Sequence, residues 1–336
     1  MNKASIHLDT LHRLSITAGE EASRLGERTM DIDHLFLALT LSDQTAGQVL
    51  RSLGLTLDAA RRALAEQRED ALATLGLTLD APEPGPITYA DGGDYAWSDR
   101  AQAVLRRSTE KNHAAGRKKP GDAAAILRAL LDEPSGLITD LVQRMGGGPE
   151  AIVHALDGAE SLTIHRTTPA TTTGYLSTAE AFLPAPIATV WALLADPARR
   201  PEWDEAVESI EVPQEAEVLP GDAWLAHAPT HLPSGKPLAI KPELARQSVE
   251  VTAIVPRTHV AWTVSYPDSA TANQRVTVFD LEAAAGGTQV WITHGWQPRA
   301  GRKPRPVRRA LLSPLVKASL WFQVRSVASA VSRALR

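Results

Sequence analysis

Residues 31–39 read DIDHLFLAL, an acidic and histidine pair followed at once by a run of apolar residues. Apolar positions continue at Val49, Leu50 and Leu53, then at Ala60, Ala63 and Leu64, with turn signals at Ser42–Asp43 and Gly54 between them. That is helical spacing in three short pieces joined tightly. The same order returns later as WSDRAQAVLRRSTEKNHAAG, AAAILRALLDE, SGLITDLVQRMGG and PEAIVHAL. Placing Ala38–Leu39 on Ala129–Leu130 gives an offset of about 91 residues, with one residue inserted before Gly146. A fixed period with matching turns is the mark of an internal duplication. Between the copies lies APEPGPITYADGGDYA, whose Pro, Gly and Asp content predicts an irregular connector.

Composition bounds what such a chain does. Its 336 residues exceed the size at which a single core usually stops growing, so two domains are expected. Hydrophobic residues make up 43% and charged residues 22%, ordinary values for a globular protein. There are no cysteines, which removes disulfides, thiolate metal sites and a cysteine nucleophile, and suits a reducing compartment. The start, MNKASIHLDT, lacks a secretory apolar core, and no apolar run approaches the length of a membrane span, so a cytoplasmic location is expected. Net charge is −4, yet the last 41 residues hold ten basic groups and no acid. Seven of the eight tryptophans lie after residue 190. The two halves are made of different materials.

The pattern of Asp33, His34, Leu35, Leu37, Ala38 and Leu39, then Val49, Leu50, Leu53 and Gly54, resembles the Clp repeat. The second copy matches through Ser98, Val104, Leu105, Ile126, Leu127, Ala129, Leu130 and Leu131. Two such repeats form the amino-terminal domain of Clp-type unfoldases. The resemblance covers roughly residues 5–157, with repeats at about 5–66 and 97–157, and implies an all-α bundle over a domain of residues 1–157. It also implies partners, namely Clp protease adaptors or clients. The acid before the histidine would accept an arginine-bearing or phosphoarginine-tagged client, since a carboxylate takes two parallel hydrogen bonds from a guanidinium. Asp33 keeps that acid, whereas Ala124 and Ala125 stand at the equivalent place in the second copy. Asp33 and His34 are the candidate client-binding residues that the resemblance implies, with a helix cap or a packed bundle residue as the plainer reading of His34. No G-x-x-x-x-G-K-[ST] segment exists in the chain, so no ATP site and no motor are expected.

Residues 158–174, GAESLTIHRTTPATTTG, read as a linker. Beyond them the period changes to that of strands. GYLSTAEAFL alternates, PIATVWALLADP is a short helix, and six further alternating runs precede a long helix from about Pro306 to Arg336. This order, with Val190, Trp191, Leu194, Asp196 and then Trp203, is similar to the helix-grip superfamily of START lipid-transfer domains and polyketide cyclases. It implies an α+β domain over 175–336, an antiparallel sheet wrapped on a long C-terminal helix around a deep apolar cavity. Fold alone assigns no reaction.

Candidate ligand-contacting residues are Trp191, Trp224, Trp262, Tyr266, Trp291, Trp296 and Trp321, because indole and phenol rings offer large apolar surface with one polar atom. Candidate acid or base groups are His294, Asp222 and Tyr266, with a hydrogen-bonded strand histidine as the plainer reading of His294. His227 and His231 have a metal-ligand spacing, but Pro229 and Pro233 break any helix there and no third ligand is near, so no metal and no cofactor are expected. The basic stretch 299–309 reads as a solvated surface complementing the acidic remainder, rather than as a membrane or nucleic-acid contact. Pro314 predicts a bent or delayed final helix. Two functions follow. One is a non-catalytic binding protein: a Clp-like module recognising an adaptor, client peptide or peptide-like molecule, acting as decoy or adaptor for a Clp protease and joined to a domain holding an apolar small molecule. The other is a polyketide cyclase or dehydratase tethered by the Clp-like half.

Overall fold

The computed structural model describes residues 3–74, 76, 85–89, 95–114, 122–161, 175–213, 218–231, 236–298 and 306–336. The chain divides into two compact units, Met1–Arg166 and Thr167–Arg336.

The first unit is two quartets of helices. The first quartet is α1 (Lys3–Arg24), α2 (Ile32–Thr40), α3 (Thr45–Ser52) and α4 (Leu57–Thr74); the second is α5 (Asp99–Ala114), α6 (Ala123–Leu131), α7 (Leu137–Arg144) and α8 (Pro149–Ser161). α2 and α6 have the same length and start 91 positions apart, after Asp31 and Asp122, whose carboxylates accept backbone N–H groups at the helix start. Each cap satisfies amides that a helix leaves orphaned. α8 continues to Ser161, past the boundary expected at 157, because Pro149 opens it and nothing before residue 161 breaks the helical run. Two short strands, β1 (Thr29–Met30) and β2 (Ala96–Trp97), pair in parallel. α2 is buried from end to end, with Ile32, Leu35, Phe36 and Leu39 fully enclosed.

The second unit begins with β3 (Tyr175–Leu183) and α9 (Ile187–Leu194), followed by a 3-10 helix, Pro197–Glu202. Then come β4 (Ser209–Ile210), β5 (Ala223–His227), β6 (Arg246–Val255), β7 (His259–Ser265), β8 (Gln274–Ala284) and β9 (Gly287–Gln297). They form one seven-stranded antiparallel sheet in the order β3-β9-β8-β7-β6-β5-β4. α10 (Pro306–Ala334) closes the chain and packs Val324 and Val331 into the core beneath the sheet. It begins at Pro306, upstream of Pro314, so the expected delay does not occur. The basic residues at 299–305 lie outside the described residues. No helix among those described is long and apolar enough to cross a membrane.

Alternation sets the inward face of this sheet. One cross-strand row runs Ser177, His294, Thr277, Trp262, Val251, and the next runs Tyr175, Trp296, Arg275, Val264, Val249. Gly295 separates these rows on β9. A Cβ there would stand 2.0 Å from the Tyr175 carbonyl oxygen, so β3 approaches as closely as it does only because the side chain is absent.

Candidate functional site

The inward face has an apolar part and a polar part. Val249, Val251, Val260, Trp262, Phe279, Ile292 and the α10 valines form packed core. Trp262 is fully enclosed, and its indole N–H donates to the Leu194 carbonyl at 3.1 Å, which ties the C-terminal end of α9 to the sheet. Trp224 packs 6.3 Å from Trp262.

The polar part is built around Asp204, immediately after the 3-10 helix. Asp196 caps that helix by accepting the Ala198 N–H at 2.8 Å. Its last turn sends Arg200 inward, where the guanidinium lies 4.7 Å from the Trp203 ring and 5.0 Å from the Trp262 ring. Stacking between indoles stabilises a buried cation. Arg200 donates through Nε to Asp204 Oδ2 at 3.0 Å, while Arg275 donates through both terminal nitrogens to the two Asp204 oxygens at 2.8 and 2.9 Å. All three side chains are almost wholly removed from solvent. Burial raises the Asp204 carboxyl, but the charges of Arg275 and Arg200 outweigh it and hold the group down at about 2. Burial lowers Arg200 to about 10, still charged at neutral pH.

His294 stands in the adjoining row, its Nδ1 2.9 Å from the Thr277 hydroxyl. Burial, reinforced by the positive field of Arg275, lowers it to about 4, against a smaller upward pull from Asp204. It is a neutral imidazole at pH 7. Tyr266, just past β7, is raised by burial. Among the described residues, neither His294 Nε2 nor the Tyr266 hydroxyl has a hydrogen-bond partner.

The structure separates the other expected site residues. Trp296 faces inward and donates to Gln323 of α10 at 3.3 Å. Trp191 packs at the margin of the core. Trp291 sits between Val290 and Ile292 and therefore faces the opposite side of the sheet, opposite Glu180 and Asp280. It cannot share a site with the inward tryptophans. Trp321 lies on the flank of α10 under the Arg325 guanidinium, 3.9 Å from its ring centre. Asp222 is a turn residue at the start of β5 whose carboxylate accepts the Leu219 N–H at 2.8 Å, with three strands between β5 and the β9 strand of His294 and one between β5 and β7. It drops out as an acid or base candidate. His227 lies 3.3 Å from Glu211, and His231 lies 3.0 Å from Thr230.

In the first unit, His34 is fully buried and completes a capping box, its Nδ1 accepting the Asp31 backbone N–H at 3.2 Å. Asp33 is nearly buried, and its carboxylate receives Arg68 of α4 at 2.9 Å. Burial raises this carboxyl, but His34 and Arg68 together hold it far below the usual range. The guanidinium seat at Asp33 is filled from within the chain.

Arg200, Asp204 and Arg275 did not stand out in the sequence. The available signal was Arg200 and Asp204 four apart around Trp203, together with Arg275 at an inward position of β8.

A family model for polyketide cyclase / dehydrase and lipid transport matches residues 177–332. Residues 177–332 are therefore similar to that family, over somewhat less than half of the chain. No curated protein matches the chain. Similar solved structures include a protein of Chromobacterium violaceum, 19% identical, covering 47% of this chain and 97% of that one with a TM-score of 0.30. A polyketide cyclase-like protein of Corynebacterium glutamicum is 15% identical, covering 49% and 92% with a TM-score of 0.32. The amino-terminal domain of the caseinolytic protease associated chaperone ClpD of Arabidopsis thaliana is 20% identical, covering 44% and 90% with a TM-score of 0.35. The described polar groups on the inward face of the second unit are the candidate ligand contacts.

Proposed function

We propose that this protein binds rather than transforms its ligand, with the polyketide cyclase-like domain holding an apolar-bodied small molecule against the inward face. The observation that carries this is the state of the acid and base groups there. A general base has to bind a proton during the reaction and works best with a pKa near the operating pH. His294, lowered to about 4, sits beside a guanidinium that opposes the imidazolium. Asp204 has both oxygens engaged by Arg200 and Arg275. The site offers fixed hydrogen-bonding groups and no poised base. Native mass spectrometry of the full chain purified from its own host tests this: a retained small molecule of single mass supports binding, and an empty protein counts against it.

The helical unit is proposed as a recognition module of the Clp-repeat kind, acting as a decoy or an adaptor toward a Clp protease. The doubled helix quartet and the residues around α2 support that reading. Because Arg68 already occupies Asp33, we place recognition on the helix faces rather than on that carboxylate. As a decoy it needs a dissociation constant and a cellular concentration comparable to the motor's own. Calorimetric titration of the full chain with arginine-bearing peptides tests this; saturable binding that is unchanged in Asp33→Asn is the expected result.

A second reading, a cyclase or dehydratase, is favoured by one observation: His294 and Tyr266 both present free polar atoms in the same unit. It requires turnover, which mass analysis of recovered ligand detects.

A further inference from the structure

Two guanidiniums share one carboxylate on the inward face. Arg200 and Arg275 both point at Asp204, and among the described residues no other carboxylate acts on Arg200. His294 contributes no charge at neutral pH, so the cluster keeps one positive charge more than it neutralises. An uncompensated charge removed from water is strongly unfavourable unless a counter-ion completes it.

The unpaired hydrogen-bonding atoms point the same way. Arg200 Nη1, Arg275 Nε and Trp203 Nε1 are all buried donors without an acceptor among the described residues. Arg200 Nη2 lies 2.8 Å from Asp204 Oδ2 but does not align as a hydrogen bond. Gln247 Oε1, whose amide nitrogen donates to the Ala206 carbonyl at 2.8 Å, is the one buried acceptor left over among the described residues of this unit. Buried polar groups are normally satisfied, and a cluster of orphaned donors around a surplus positive charge lacks one kind of partner, an anionic acceptor. Just beside Arg275, Tyr266 and His294 add a hydroxyl and an imidazole nitrogen free to hydrogen-bond the same group. Tyr175 and Trp296, in the same cross-strand row as Arg275 and only partly buried, supply the surface for an apolar body.

We infer that the ligand of the polyketide cyclase-like domain is an amphipathic organic acid, its anionic group completing the Arg200–Asp204–Arg275 cluster and its apolar body lying along the inward face. This rests on the binding reading above and specifies the chemistry of what is bound. It also assigns Asp204 a role: the carboxylate holds both guanidiniums in place while neutralising only one of them.

The test compares matched acid and neutral probes on the full chain by isothermal titration calorimetry at neutral pH. Dodecanoate is set against dodecanol, and 2-naphthoate against 2-naphthol. The expected result is that the acid of at least one pair binds at least about tenfold more tightly than its alcohol, the scale of one charge-assisted hydrogen bond. In Arg275→Met the cluster becomes one guanidinium against one carboxylate, and the preference for acid over alcohol should disappear. A measurement on the unaltered protein stands even if that variant fails to fold. Carbon-13 NMR of carboxyl-labelled dodecanoate in the complex should show the bound carboxyl titrating below the free acid. Equal affinities within each pair, or a bound carboxyl titrating above the free acid, overturn the acid assignment and leave the binding reading standing. Absence of binding by all four probes overturns both.

Discussion

Acidification should weaken the polyketide cyclase-like domain through His294 in a defined window. The folded state holds this imidazole at about 4, whereas the unfolded chain holds it near the ordinary 6.5. Between those values the unfolded state binds more protons, so stability falls as pH falls from 6.5 toward 4 and is fully present above 6.5. Each pKa unit corresponds to 1.36 kcal/mol, which gives about 1.4 kcal/mol lost by pH 5.5 and about 3 kcal/mol once pH is below 4. Urea unfolding followed by tryptophan emission reads this domain selectively, because seven of the eight tryptophans lie in it. Other groups titrate over the same range, so the quantity to follow is the stability difference between the unaltered chain and His294→Gln. That difference should shift by about 1.4 kcal/mol in favour of the variant between pH 7.5 and 5.5. A difference independent of pH would refute the reasoning, since it would mean that His294 is protonated alike in both states.

Other expectations follow from single contacts. Asp204→Asn leaves two buried guanidiniums without a counter-ion and should cost about 3–5 kcal/mol in the same unfolding assay. Gly295→Ala brings a methyl group against the Tyr175 carbonyl, and the required shift of β3 should cost about 1–3 kcal/mol and lower the thermal midpoint. In the helical unit, Asp31→Ala removes the α2 cap together with the contacts to Ser98 and Arg100, a loss of about 1–2 kcal/mol measurable by thermal unfolding followed in the far ultraviolet.

The repeat and the strands were legible because both rest on local period. DIDHLFLAL and its counterpart 91 positions on fold into helices of one length since each begins with the same kind of capped turn and the same apolar spacing. The seven strands were readable as runs of alternating residues. The polar cluster was not, because Asp204 and Arg275 stand 71 positions apart and meet only through sheet register. β8 also carries polar residues on both faces, Arg275 and Thr277 inward and Asp280 outward, so alternation there does not announce which charge is buried. Trp291 was grouped with the inward tryptophans by residue type, and its position one step from Ile292 assigns it to the other face. His34 was legible in part: a helix-capping histidine was one of its two readings, and the Asp31 amide supplies the contact.

The polyketide cyclase-like domain is proposed to hold its ligand without changing it. The most direct measurement is to release the bound molecule from protein purified from its own host, return it to an excess of fresh full-length protein, and weigh it again after prolonged incubation. An unchanged mass and a re-formed complex are expected. A mass lower by one water, or any other discrete conversion dependent on folded protein, would contradict it.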